Sequence, residues 1–173
     1  MKASVFVGIS VDGFMARLDG RFDFLPAGGG EPHGYDEFIT TVDAIVMGRN
    51  TYEVVLPFDP WPYGKTPVFV LSSRSLQPAP AGAVVERLSG APVAILRHLD
   101  QRGFKHAYID GGITIQAFLR AGLIQRITAT RVPVLIGSGI SLFGETGSDI
   151  RLRHVATTSY VSGMVKSEYE VLA

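Results

Sequence analysis

The stretch Ala44-Ile-Val-Met-Gly-Arg-Asn-Thr-Tyr-Glu53, "AIVMGRNTYE", decides how the rest of the chain is read. A short apolar run predicts a strand over Ala44–Met47, and Asn50–Leu56 predicts a short helix stopped by Pro57. Between them lie Gly48 and Arg49. Such a passage is either an ordinary strand-to-helix turn or a seat for phosphate. A glycine lets backbone approach a ligand closely. The helix start leaves N–H groups and a partial positive charge facing an anion. Thr51 adds a hydroxyl and Arg49 a guanidinium fork.

Two other apolar runs end in the same way. Pro67–Leu71 is a predicted strand that stops at Ser72-Ser73-Arg74, and Lys105–Ile109 runs through Asp110 into Gly111-Gly112. A helix over Ile113–Ala121, closed by Gly122, follows the second of these. In an open α/β sheet such ends meet in a crevice at the carboxyl side of the strands. Any one passage is weak as a binding signal; three that converge are not.

Working outward, Ala3–Val11 predicts a central first strand that stops at Asp12-Gly13. Phe14–Gly30, with Asp19-Gly20, Pro26 and Gly28-Gly29-Gly30, predicts a long loop, of a length that is either functional or disordered. Pro32–Thr41 predicts a short helix. Trp61 and Tyr63, in the proline-rich link after the second helix, either cover a pocket or pack on the body. Ala83–Glu86 is an expected edge strand and Pro92–Gln101 a helix with proline in its first turn. Gln125–Ile136, Arg151–Ser159 and Val161–Val171 predict strands, broken by the glycine-rich Gly137–Gly144 and a tight turn near Ser162-Gly163. Alternating strands and helices followed by strands alone predict a mixed sheet with helices on both faces.

The 173 residues fit one domain, 1–173, able to bury about two thirds of its extended-chain surface. Hydrophobic residues make up 46% and charged residues 18%, which describes a folded soluble chain. Sixteen basic and sixteen acidic residues cancel, so net charge argues for neither nucleic acid nor an anionic membrane as partner. There is no cysteine, which removes disulfides, thiolate metal sites and cysteine nucleophiles. His33, His98, His106 and His154 show no ligand spacing, and no metal is expected. No apolar run reaches the roughly 20 residues of a membrane span, and Asp12-Gly13 interrupts any signal core. The expected location is cytoplasmic. Neither G-x-x-x-x-G-K-[S/T] nor G-x-G-x-x-G occurs, which disfavours a P-loop or a Rossmann dinucleotide site.

The blocks "ISVDGFMA" (Ile9–Ala16), "DAIVMGRNTYE" (Asp43–Glu53), "VFVLSSR" (Val68–Arg74), "YIDGGITIQAFLRAGLI" (Tyr108–Ile124) and "RVPVLIGSGISLF" (Arg131–Phe143) give the chain a resemblance. It resembles the dihydrofolate-reductase-like superfamily, and within it the reductase domain of bacterial riboflavin biosynthesis proteins. The resemblance implies an α/β, three-layer fold, with a mostly parallel mixed sheet ending in an antiparallel C-terminal hairpin. It implies NADPH as cofactor and a small-molecule substrate, pterin-like or phosphoribosylamino-pyrimidine-like, with a homodimer as one further expectation.

By position, the resemblance puts Gly48, Arg49 and Thr51 at the cofactor's phosphates. Leu71, Ser72, Ser73 and Arg74 fall at its adenosine end and 2'-phosphate. Gly111, Gly112, Ile113 and Thr114 fall at the pyrophosphate. Val7 and Gly8 flank the nicotinamide, and Asp12-Gly13 opens the loop that covers it. On the substrate side it implies Phe14, Arg131, Pro133, Gly137 and Gly139. Asp36 is the candidate catalytic acid, set against a solvated helix residue, and Asp110 is expected to order the Gly-Gly turn. The deaminase half often fused to such reductases has no counterpart, because H-x-E with P-C-x-x-C is missing. A nucleotide- or flavin-binding module without reduction, and a structural dimer, stand as alternatives to the reductase.

Overall fold

A computed structural model describes residues 1–26 and 31–172. The Gly28-Gly29-Gly30 end of the expected long loop lies outside the described residues. Strands β1 (Lys2–Ser10), β3 (Ala44–Gly48), β4 (Val68–Leu71), β5 (Val85–Leu88), β6 (His106–Asp110), β7 (Arg126–Val132), β9 (Leu152–Ser159) and β10 (Val165–Val171) form one sheet, ordered β5-β4-β3-β6-β1-β7-β10-β9. From β5 to β7 every pairing is parallel. β10 then runs antiparallel to both β7 and β9, which makes the C-terminal hairpin.

Side chains alternate across each strand, so the sheet has two cores. On one face Ala3, Val5, Val7 and Ile9 meet α3 (Pro92–Gln101) and α4 (Gly112–Arg120) through Ile95, Leu99, Ile115 and Phe118. Both helices follow the expected rules. Pro92 occupies the first turn of α3, and Gly103 and Gly122 adopt positive φ just beyond the two ends. On the other face Ile45, Met47, Val68 and Val70 are covered by Tyr52 and Val55 of α2 (Arg49–Val55). Helix α1 (Tyr35–Thr40) buries no residue completely; it lays Phe38 against Phe6 and Tyr108, with ring centroids at 4.9 and 5.2 Å.

The long loop is partly ordered. Phe14–Ala16 is a strand, β2, paired antiparallel with β8 (Ile140–Ser141), where a loop and a glycine-rich connection are predicted. Strands of three and two residues are too short to leave a periodicity in the sequence. The predicted strand over Gln125–Ile136 likewise stops at Val132. Among the described residues no helix is long and apolar enough to cross a membrane.

Phe118 is fully buried between α4 and the sheet. Phe118→Ala is expected to lower stability by about 3–5 kcal/mol through lost burial and the cavity left behind. Urea unfolding followed by circular dichroism measures it.

Candidate active site

The parallel register brings the three polar strand ends side by side. Gly48 of β3 pairs with Leu71 of β4, and Met47 pairs with Asp110 of β6. The residues that follow, Arg49, Ser72 and Gly111, therefore leave the sheet along one rim. On the next two strands Ser10 of β1 and Val132 of β7 end on the same side.

Behind the rim lies a cavity of about 780 Å³. Its floor is formed by Val7, Gly8, Gly111 and Gly112, and Thr51 reaches it from α2. Its roof is the loop after β2, with Leu18, Phe22, Leu25 and Pro26 facing inward. Gly8 is the residue that lets the roof settle: a Cβ there would stand 2.9 Å from Leu25 Cδ2. Tyr63 closes one wall, buried, with Trp61 packed edge-on behind it at 5.2 Å. Both offered roles for that aromatic pair are thus realised, Tyr63 as wall and Trp61 as its support.

The two glycines after β6 are demanded by the protein's own packing. At Gly111, φ is +87°, and an added Cβ would overlap Thr51 Oγ1. At Gly112 it would sit 2.9 Å from the Ser141 carbonyl oxygen. What they turn to the cavity is backbone. The first bond inside α4 is Ile115 N–H to the Gly111 carbonyl (2.8 Å), so the amides ahead of it, Gly112 to Thr114, belong to the unpaired first turn. Thr114 is buried against Gly48, while the Ile113 side chain is 75% exposed. Arg49 forms an ion pair with Glu53 at 2.9 Å.

At the β4 end, the Ser72 hydroxyl closes a small turn by accepting from Arg74 N–H (3.0 Å) and donating to its carbonyl (2.8 Å). Ser73 and Arg74 are exposed beyond it. Arg87, on the neighbouring β5, extends its guanidinium to the Ser72 carbonyl at 3.5 Å, a second cation at this end that the sequence reading passed over.

The substrate side differs from expectation in consistent ways. Asp36 is corrected first: it is exposed on α1 and lines no part of the cavity, whereas Tyr35 beside it does. Arg131 and Pro133 are exposed, and the strand presents Thr130 and Val132 to the cavity instead. Phe14 yields to Met15 and Ala16, which both line the cavity. In β7 alternate residues turn to opposite faces, so placement off by one selects the wrong set there.

Asp12, Gly13, Gly137 and Gly139 hold the loops rather than line the cavity. Asp12 accepts the amides of Gly137 (2.8 Å) and Ile136 (3.3 Å). Its carboxyl is held below the usual range, first by the Ser10 hydroxyl and then by those amides. Gly13 accepts Leu142 N–H at 3.0 Å, and a Cβ on Gly139 would overlap the Ala16 carbonyl.

Three acids line the cavity, and Asp19 and Glu53 are ion-paired with Arg21 and Arg49, which leaves Asp110. Its Oδ1 accepts Gly111 N–H at 2.8 Å, as expected of a turn-ordering residue, yet the carboxyl also faces the cavity beside Tyr35, Tyr63 and Tyr108. Burial pushes its pKa up to about 6, against the opposing pull of the Gly111 amide and the Tyr108 hydroxyl. The tyrosines move with it. Burial, reinforced by the Asp110 charge, pushes Tyr35 up to about 12 and Tyr63 and Tyr108 upward as well, so all three remain protonated. Tyr108 donates its hydroxyl to the Phe6 carbonyl at 2.9 Å. A signal for Asp110 was present in the sequence as the last residue of a strand at the crevice, but a turn role explained it equally well.

Sheet order, hairpin and rim define a protein of the dihydrofolate-reductase-like fold. The chain belongs to the RibD C-terminal domain family, whose model matches residues 2–166. It is 31% identical over 163 residues to the uncharacterized protein YwjB of Bacillus subtilis (strain 168), covering 92% of each chain. It is 37% identical to a Shewanella sp. PV-4 protein named for riboflavin biosynthesis, with a TM-score of 0.89 and full coverage of both chains. Dihydrofolate reductase from Enterococcus faecalis, solved as a complex with NADP(H), shares the fold at 17% identity, with a TM-score of 0.69 over 99% of this chain and 97% of that one.

Because burial holds the folded-state pKa of Asp110 above its ordinary value of 3.8, its contribution to stability is full below about pH 4 and lost as pH rises through about 6. Asp110→Asn is expected to abolish that decline. Thermal melts of both proteins between pH 4 and 8 provide the check.

Proposed function

We propose that the protein is an NADPH-dependent reductase that passes hydride to a small heterocyclic or sugar-derived substrate. The observation that carries this reading is the alignment of three phosphate-suited strand ends on one rim, opening onto a cavity in which, among the described residues, Asp110 is the one lining carboxyl group without an ion pair. Membership of the RibD C-terminal domain family supports a reductase-type function, and the likeness to the Shewanella protein supports a place in riboflavin-type chemistry.

The rim fits an elongated diphosphate cofactor. Gly111 and Gly112 expose backbone, the first turn of α4 offers unpaired amides, and Thr51 adds a hydroxyl. Arg74 and Arg87 stand at the far end, where the adenosine 2'-phosphate of NADPH would lie. When bound, the cofactor supplies the hydride, and the protein has to orient the two partners and exclude water. Leu25 and Phe22 in the roof do the excluding. Val7 and Gly8 shape the floor against which a flat ring can rest.

Reduction of a polarised C=N or C=O bond leaves the heteroatom in need of a proton. Asp110 is the group placed to give it. With a pKa of about 6 it holds its proton far better than an ordinary carboxyl, and among the described residues it forms no ion pair that would fix it as a carboxylate. Its neighbours Tyr35 and Tyr63 stay neutral and can orient the bond being reduced.

Arg74→Ala is expected to weaken NADPH binding about tenfold or more while leaving NADH nearly unchanged, since charge-assisted contact with the 2'-phosphate would be lost. Fluorescence titration with both nucleotides distinguishes this from an equal loss, which would remove Arg74 from the site. For the reaction, kcat/KM is expected to fall about tenfold per pH unit above pH 6, as the protonated form of Asp110 is depleted. Asp110→Asn is expected to lose most activity while keeping NADPH affinity. A flat pH profile, or full activity in that variant, assigns the proton to water.

A further inference from the structure

At the end of the sheet opposite the rim a second groove, of about 560 Å³, opens at the first residues of three parallel strands: Lys2 of β1, His106 of β6 and Arg126 of β7. Register puts these side chains together on one face. Lys2 pairs with His106 and Ser4 with Arg126, and the Ser4 hydroxyl lies 2.8 Å from His106 Nε2. Phe6 and Phe38, stacked with centroids at 4.9 Å, form the apolar wall. Phe6 also lines the main cavity, so it is the partition between the two spaces.

The charges in this groove are sorted. Both lining acids stand on the Lys166 side. Glu168 Oε1 is 3.7 Å from Lys166 Nζ, while Lys166 Nζ and Glu37 Oε2 reach to 3.1 and 3.9 Å from where a Cβ on Gly34 would stand. Glu170, opposite Arg126 in the sheet, is taken by Arg153. Among the described residues neither Lys2 nor Arg126 enters an ion pair. Two uncommitted cations, one of them a planar fork, beside an apolar wall suit an oxyanion attached to an apolar body.

His106 links this site to a proton. Its Nδ1 is 2.8 Å from the Thr41 carbonyl, which can only accept, so Nδ1 carries the hydrogen and Nε2 of the neutral ring accepts the Ser4 O–H. Ser4 is 1% exposed, which makes it a fixed partner of the ring rather than a nucleophile. Burial above all holds the His106 pKa below its ordinary value; the Lys2 charge adds to this, and the Thr41 carbonyl and Asp43 oppose it. Arg126 and, from α1, Glu37 are the other charges around the groove on this side of the sheet. An anion beside Lys2 offsets the repulsion, so its binding draws a proton onto the ring.

We propose that this groove is a second ligand site, for a small organic oxyanion, carboxylate or phosphate monoester, whose charged head is held by Lys2 and Arg126 and whose apolar body lies against Phe6 and Phe38. The site goes beyond the reductase reading and does not depend on it.

The test is calorimetric titration of the full chain with benzoate, phenyl phosphate and benzyl alcohol. At least one of the two anions is expected to bind about tenfold tighter than benzyl alcohol, and the tighter of the two tells a carboxylate ligand from a phosphate ester. Lys2→Met and Arg126→Met, which keep an apolar stem, are each expected to weaken that anion about tenfold with the melting temperature unchanged. Benzoate, which stays ionised throughout, is expected to bind several-fold tighter at about pH 6 than at about pH 8, and His106→Gln to remove that difference. Saturating NADPH is expected to leave the affinity unchanged, because the rim lies at the other end of the strands. Binding of neither anion, equal binding of benzyl alcohol, indifference to both methionine substitutions, a benzoate affinity that does not rise as the pH falls, or displacement by NADPH overturns the inference. Failure of NADPH itself to bind removes the reductase reading and leaves the groove untouched.

Discussion

Hydrogen-bonded register among β4, β3 and β6 is the constraint on which the site depends. Pairing Gly48 with Leu71 and Met47 with Asp110 makes three separate segments of chain leave the sheet at one level. Slipping any of these strands by one residue would turn its core side chains outward and break the shared rim at once. Packing enforces the register. Met47, Val68 and Val70 lie fully buried on one face, with Val46 and Phe69 buried on the other.

The cavity behind the rim is defined by what burial does to charge. Enclosing Asp110 among tyrosines disfavours its carboxylate, and the same enclosure keeps those tyrosines as neutral hydroxyls. The carboxyl at the end of β6 thus titrates near 6, above the usual carboxylate range. The exposed Asp36, in water on α1, has none of this environment. Carboxylates become acids through surroundings, and surroundings are a tertiary property.

Much of the fold was legible along the chain because its signals are local. Pro92 and Gly103 bracket α3, Gly122 closes α4, and the apolar runs of β1, β3, β4 and β6 stop at polar or glycine residues. The rim was legible for the same reason, since each of its three pieces is a strand end with its own punctuation. The substrate wall was not. Arg131 and Phe14 were neighbours of the residues that matter, Thr130 and Met15, and nothing in a seven- or three-residue segment states which face will look inward.

The sequence by itself determined the α/β layering, the family and the polar residues available at each strand end, because propensity, capping and motif are written within a few consecutive residues. Only the tertiary structure decided that Asp110 is the buried acid, that Asp12 ties loops together, and that Thr130 rather than Arg131 lines the cavity. Those outcomes depend on burial and on contacts between segments more than a hundred residues apart, such as Gly8 with Thr130 or Asp12 with Gly137. Distances of that kind exist only once the sheet has closed.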